Sequence, residues 1–131
     1  MSLMISGFYA SVTALLAIGL SIRVIKQRRL NKVGVGTGGN ADLALAKRVH
    51  ENLLENAPLA LILFMLAEFN GLPAAILHCF GTVWIVARLL HAIGLTLGKG
   101  GVHFGRTWGV LMTWVVIVGL AIVNIGFFIG L

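Results

Sequence analysis

Charged side chains are scarce in this chain of 131 residues, where they make up 11% of the sequence. Soluble domains typically carry about 25% charged residues. Hydrophobic residues supply 59% of the chain and are gathered in long runs. This composition excludes an ordinary soluble domain and indicates an integral membrane protein.

Cysteine and acidic residues are also rare. The single cysteine, Cys79, excludes a disulfide within the chain. Four acidic residues stand against ten Lys and Arg, which gives a net charge of +6. A basic chain can bind nucleic acid, but here the basic residues flank apolar runs, where positive charge sets membrane orientation. We therefore expect membrane lipids as partners and no nucleic acid.

Four apolar runs predict the architecture. The expected spans are 3–24, 41–68, 73–97 and 107–131. Each has at least the roughly 20 residues that a helix needs to cross a bilayer, and the second is long enough for its polar end to project into the interface. Short connections between successive spans predict one all-α domain, residues 1–131, folded as an up-down-up-down four-helix bundle.

Basic residues are unevenly shared among the connections. The first and third connections are basic, whereas the short second one has Glu68 beside it and no Lys or Arg. The positive-inside rule places the first and third connections in the cytoplasm and both termini on the other side of the membrane. A glycine-rich stretch precedes the second span, and Asn40 or Asp42 is expected to cap its helix.

The second span begins with a polar stripe. Arg48, Asn52 and Glu55 fall within a sector roughly 60° wide on one helical face. The stripe fits two interpretations. Arg48 and Glu55 form an ion pair at the membrane interface, or the three side chains bind a polar, charged ligand, since arginine grips carboxylates and glutamate accepts amines.

The third span carries Arg88 and His91 on one face. Charged groups inside a membrane span usually face a partner or a polar cavity. Glu55 or Glu51 of the second span is the expected partner of Arg88. A structural ion pair and a contribution to a ligand site both fit this pattern. The third connection, next to Arg106, is expected to be a mobile turn or a lid because of its glycines: Gly94, Gly98, Gly100, Gly101 and Gly105.

Two familiar motifs are incomplete. Gly34, Gly36 and Gly39 match GxGxxG but follow a membrane helix, whereas a dinucleotide site needs a strand before the motif. His50 and Glu51 begin an HExxH zinc motif, but Leu54 replaces the second histidine. We expect no dinucleotide and no metal site.

Two motifs together resemble a known family. The first is Arg48-x-His50-x-Asn52-x-x-Glu55-x-x-Pro58, and the second is Ala87-Arg88-x-x-His91-x-x-Gly94. The pair resembles the MAPEG family, the membrane-associated proteins in eicosanoid and glutathione metabolism. The likeness covers nearly the whole chain and is greatest to small bacterial members of the microsomal glutathione transferase type, which implies a location in the bacterial inner membrane with periplasmic termini.

The resemblance implies a homotrimer that binds glutathione as a substrate, between subunits, on the cytoplasmic side. By motif, the side chains that bind glutathione would be Arg48, Asn52, Glu55, Arg88 and His91. Arg106 would stabilise the glutathione thiolate and is the catalytic candidate. Asn56, His91 and Leu95 stand where family members have tyrosines.

These observations lead to three functional hypotheses. The first is a glutathione transferase, or a peroxidase, that joins the glutathione thiolate to a lipophilic small molecule or reduces a lipid hydroperoxide. The second is a non-catalytic membrane trimer that binds glutathione or an anionic lipid headgroup. The third is a small channel or transporter.

Overall fold

The computed structural model describes residues 2–131, and it forms four α-helices there without any strand. The helices are α1 (Met4–Asn31), α2 (Ala41–Phe69), α3 (Ala74–Leu97) and α4 (Phe104–Phe128). All four are long and apolar enough to cross a membrane. The chain is an all-α membrane bundle, as the sequence predicted.

Two polar residues fix where helices begin at the basic end of the bundle, which carries the α1–α2 connection (32–40) and the α3–α4 connection (98–103). The Asn40 side chain accepts a hydrogen bond of 2.8 Å from the backbone N–H of Leu43, so Asn40 caps α2. His103 Nδ1 accepts from the Gly105 N–H at 3.0 Å and caps α4. This cap starts α4 three residues before the expected span.

A heptad-like stripe on α2 packs at the centre of the bundle. Its buried residues recur at alternating steps of four and three: Leu53, Ala57, Ala60, Phe64 and Ala67. This spacing is typical of helices that pack with left-handed, coiled-coil geometry. The alanines admit neighbouring helices, and Trp84 of α3 and Leu120 of α4 complete the core. α2 remains a single helix through Pro58.

Glycines bring α3 and α4 into backbone contact at the basic end. A Cβ atom on Gly94 would lie 2.0 Å from the Arg106 nitrogen, and one on Gly109 would lie 2.6 Å from the His91 nitrogen. Small residues permit this approach, which is common between membrane helices. The expectation that Gly94 and Gly105 loosen the connection is wrong, because both lie in helices and are packed against backbone.

The opposite end of the bundle is held by polar contacts to α1. The Glu68 carboxylate of α2 accepts from the backbone N–H groups of Ile5 at 3.1 Å and Ser6 at 2.8 Å. These N–H groups have no partner within the first turn of a helix, and a carboxylate there also complements the helix dipole. The Tyr9 hydroxyl lies 2.9 Å from His78 Nδ1 and links α1 to α3.

Candidate functional site

Arg48 and Glu55, two residues of the polar stripe on α2, form an exposed ion pair. Arg48 Nη1 donates to Glu55 Oε1 at 2.9 Å, and the two side chains are 48% and 57% exposed. The pairing agrees with the first of the two interpretations of the stripe, an ion pair between residues seven positions apart. Exposed pairs of this kind contribute about 0–1 kcal/mol to stability. A ligand that takes either partner therefore loses little by breaking the pair.

Asn52, the third residue of the polar stripe, is hydrogen-bonded to a residue of another helix. Asn52 Oδ1 accepts a short hydrogen bond from Arg88 Nη2, and Thr113 Oγ1 of α4 accepts from Arg88 Nη1 at 3.1 Å. The Thr113 hydroxyl donates its own proton to the Gly109 carbonyl at 2.7 Å, so its oxygen faces the cation as an acceptor. Arg88 therefore joins three helices through neutral groups.

The predicted carboxylate partner of Arg88 is wrong. Glu55 pairs with Arg48, and Glu51 pairs with Lys47 at 3.4 Å, so α2 uses both carboxylates along its own surface. Arg88 is 2% exposed, and its guanidinium lies 5.7 Å from the centre of the Trp84 ring. An aromatic face attracts a cation, most strongly where water is excluded.

Two buried nitrogen atoms at this level lack partners among residues 2–131. They are Arg88 Nε and His91 Nδ1. His91 is 2% exposed and is packed against Gly109 of α4. Buried polar groups are normally hydrogen-bonded. Arg88 and His91 therefore form an incompletely satisfied polar layer beneath the polar stripe.

A groove opens beside this layer, between the start of α2 and the α3–α4 connection. Its volume is about 510 Å³. The residues that line it are Ala41, Asp42, Ala44, Leu45, Arg48, Leu95, Lys99, Gly100 and Arg106. Three cations and one carboxylate thus face a space whose other walls are apolar or backbone. Such a surface suits a small molecule that carries more negative than positive charge.

Arg106 fixes one wall of the groove. Its guanidinium donates to the carbonyl of Gly100 and, at 3.1 Å, to that of Gly101. Gly100 has a φ of 83°, a left-handed conformation that glycine adopts without steric cost. Arg106 therefore organises the α3–α4 connection while its side chain remains at the groove.

The predicted site residues fall into three groups. Arg48 and Arg106 line the groove, and Glu55 is bonded to Arg48. Asn52 and Arg88 are bonded to each other within the bundle. His91 is buried on α3 almost one helical turn after Arg88, and Leu95, one turn further along, lines the groove.

Sequence reasoning missed Asp42, Lys99 and Thr113 as site residues. Thr113 is a polar side chain in an apolar span, and such residues often bond between helices, so a signal existed. Lys99 and Asp42 line the same groove only because α3 ends opposite the beginning of α2, which no local pattern reveals. Residues 2–131 contain no group of three or more His, Cys, Asp or Glu side chains placed to hold a metal ion.

Comparison with known proteins places this arrangement in a family. The model of the MAPEG family matches residues 6–126. The chain is 31% identical over 122 residues to the inner membrane protein YecN from two strains of Escherichia coli, with 93% of this chain and 91% of the relative covered. No solved structure gives a significant match. The match spans all four helices and both halves of the site, and the chain belongs to the MAPEG family.

Proposed function

We propose that the chain is a membrane glutathione transferase that binds glutathione in the groove between α2 and the α3–α4 connection. The single observation that carries the proposal is the charge set of this groove. Arg48, Lys99 and Arg106 face it together with Asp42. Glutathione carries two carboxylates and one amine, so three cations and one carboxylate complement it.

The chemistry assigns different tasks to these residues. Arg48 and Lys99 bind carboxylates of glutathione, and Asp42 accepts from its amine. Arg106 lies nearest the thiol, and a nearby cation lowers the pKa of a thiol and so raises the thiolate fraction at neutral pH. The thiol proton passes to solvent. The thiolate then forms a carbon–sulfur bond with a lipophilic electrophile from the bilayer as its leaving group departs with the bonding electrons.

Arg88 has a supporting role in this proposal. Its bonds to Asn52 and Thr113 hold α2, α3 and α4 at fixed separations beneath the groove. Family membership supports a homotrimer in which a neighbouring subunit closes the open side of the groove. The name of the YecN relative supports a location in the inner membrane, with the groove on the cytoplasmic side by the positive-inside rule.

Calorimetry with glutathione tests the binding step on the detergent-purified protein. Arg48→Ala removes a groove cation and is expected to weaken binding about tenfold, the value of a charge-assisted hydrogen bond. Arg29→Ala is the matched control, because it removes the same charge from an exposed position at the end of α1, outside the groove lining. Equal affinities for both variants would contradict the proposed site.

A turnover assay tests the catalytic step. An aryl halide activated by nitro groups serves as the electrophile, and formation of the thioether is followed. Arg106→Ala should lower kcat more than it raises KM if Arg106 stabilises the thiolate. Unchanged turnover would remove Arg106 from the mechanism.

A second function fits one feature of the groove. Leu45 and Leu95 form apolar walls, and Leu95 offers no hydroxyl group to a bound thiol. A non-catalytic protein that holds glutathione or an acidic lipid headgroup would use the same cations. Glutathione binding without turnover, across several electrophiles and lipid hydroperoxides, would favour this second function.

A further inference from the structure

Arg23 forms a polar contact on the other side of α3 from the glutathione groove. Its Nη1 donates to Thr96 Oγ1 at 3.1 Å and ties α1 to α3. The Thr96 hydroxyl donates its proton to the Ala92 carbonyl at 2.7 Å, so the threonine oxygen is available as an acceptor for the guanidinium. This arrangement holds the cation in one place against α3.

A second groove lies at this contact. Its volume is about 230 Å³, and it is lined by Arg23, Ala92, Ile93, Thr96 and Leu97. None of these residues lines the glutathione groove, so the two are separate. Ile93 and Leu97 are 53% and 66% exposed, which leaves an apolar wall facing the surroundings of the bundle.

The charge of Arg23 is not neutralised within residues 2–131. The ion pairs of this part of the chain are Lys47–Glu51 and Arg48–Glu55. Within residues 2–131, the Arg23 guanidinium donates one hydrogen bond, to Thr96. Most of its N–H donors are therefore left for a ligand. Lys26 follows Arg23 by one helical turn, is exposed and adds a second positive charge on the same face.

The depth of Arg23 in the membrane indicates what the ligand is. Arg23 lies roughly 29 Å along α1 from Met4, since an α-helix rises 1.5 Å per residue. The hydrocarbon core of a bilayer is about 30 Å thick. With Met4 at the far boundary of this core, Arg23 lies near the opposite boundary, next to the lipid headgroups. Ile93 precedes Thr96, the partner of Arg23, by almost one helical turn and so lies deeper, toward the acyl chains.

We propose that the α1–α3 groove is a binding site for one anionic phospholipid. Arg23 and Lys26 contact the phosphate of the acidic headgroup, and an acyl chain lies along Ile93. A soluble anion would match the charge but would leave the exposed apolar wall unused. The site does not depend on the glutathione proposal, because it shares no lining residue with that groove.

Native mass spectrometry of the detergent-purified full chain tests this site. The probes are phosphatidylglycerol and phosphatidylcholine with identical acyl chains. The protein should retain one phosphatidylglycerol per protomer in preference to phosphatidylcholine. Arg23→Gln should weaken that retention about fivefold, as expected for one arginine at an anionic surface.

Three further variants make the test specific. Arg29→Gln removes the same charge from the end of α1 and should leave retention unchanged. Arg23→Lys keeps the charge but loses the planar fork, so its retention should lie between that of the unsubstituted protein and that of Arg23→Gln. Thr96→Val keeps every charge but releases Arg23 from α3, and it should also weaken retention. The last two variants carry the test if Arg23→Gln fails to fold.

Three results would overturn the proposal. Equal losses of phosphatidylglycerol retention for Arg23→Gln and Arg29→Gln would mean that the lipid is attracted by the overall positive charge and not by a specific site. Equal retention of the two lipids would remove the role of headgroup charge. Displacement of phosphatidylglycerol by millimolar inorganic phosphate would mean that the groove binds a soluble anion.

Discussion

At the residue scale, the buried cation Arg88 is energetically costly to the fold. It is 2% exposed and is satisfied by an amide, a hydroxyl and an aromatic ring, with no carboxylate partner among residues 2–131. Removing one partner of a buried charge is strongly destabilising because the charge then remains buried without that partner. The sequence identified Arg88 and Asn52 as important but did not pair them. The obvious electrostatic partners, Glu51 and Glu55, were already engaged along α2.

Asn52→Leu should destabilise the protein by leaving the buried charge of Arg88 without one of its hydrogen-bond acceptors. The substitution removes the acceptor of the Arg88 Nη2 bond and should lower the free energy of unfolding by about 2 kcal/mol. Asn70→Leu is the control, since the Asn70 side-chain amide donates at 2.9 Å to the backbone carbonyl of Leu66, one turn earlier, and lies far from Arg88 at the opposite end of α2. Thermal unfolding in detergent, followed by circular dichroism, compares the two.

A double substitution separates the bond from the buried charge. Asn52→Leu with Arg88→Met removes both partners and should be less destabilising than the sum of the two single changes. Strict additivity would show that Asn52 and Arg88 do not stabilise each other.

At the scale of elements, the α3–α4 contact and the anchoring of α1 control the geometry of the site. Gly94, Gly105 and Gly109 allow the two backbones to touch, and this contact sets the position of Arg106. The four helices were predictable because apolar runs reveal membrane spans. The glycine contact was not, because glycines at a helix end and in a loop look alike in sequence. The His103 cap likewise depends on a side-chain orientation that sequence does not specify.

Gly109→Ala should separate α3 from α4. The new Cβ would lie 2.6 Å from the His91 nitrogen, and overpacking of this kind costs about 1–3 kcal/mol. Gly19→Ala is the control, since a Cβ there meets no atom within 4 Å. The melting temperature and glutathione affinity should both fall for Gly109→Ala alone. Equal melting temperatures would contradict close contact between the helices.

Glu68→Ala should loosen the first turn of α1. The carboxylate holds the backbone N–H groups of Ile5 and Ser6, so hydrogen exchange at these amides should become faster. Glu51→Ala removes a carboxylate from the basic half of α2, far from α1's first turn, and should leave exchange at these amides unchanged. Unchanged exchange in the Glu68 variant would mean that α1 is held by its apolar contacts alone.

At the scale of the whole molecule, the two ends of the bundle differ: one end anchors α1, and the other carries the charged groove. The opposite end, with Glu68 and the Tyr9–His78 contact, holds α1 in place. The basic end carries the groove lined by Arg48, Lys99 and Arg106. The sequence predicted that this end would be basic and that Arg48 and Arg106 would serve one site. It did not predict that Asp42 would complete the charge pattern, because that requires the relative placement of three helices.

The ultraviolet absorbance of the glutathione thiolate is the measurement that tests the central claim most directly. Mixing the purified protein with glutathione at neutral pH should produce the thiolate band together with release of protons to the buffer. Arg106→Ala should bind glutathione without forming the band, and Arg48→Ala should weaken both. Absence of the band with the folded, unsubstituted protein at saturating glutathione would contradict activation of glutathione in this groove.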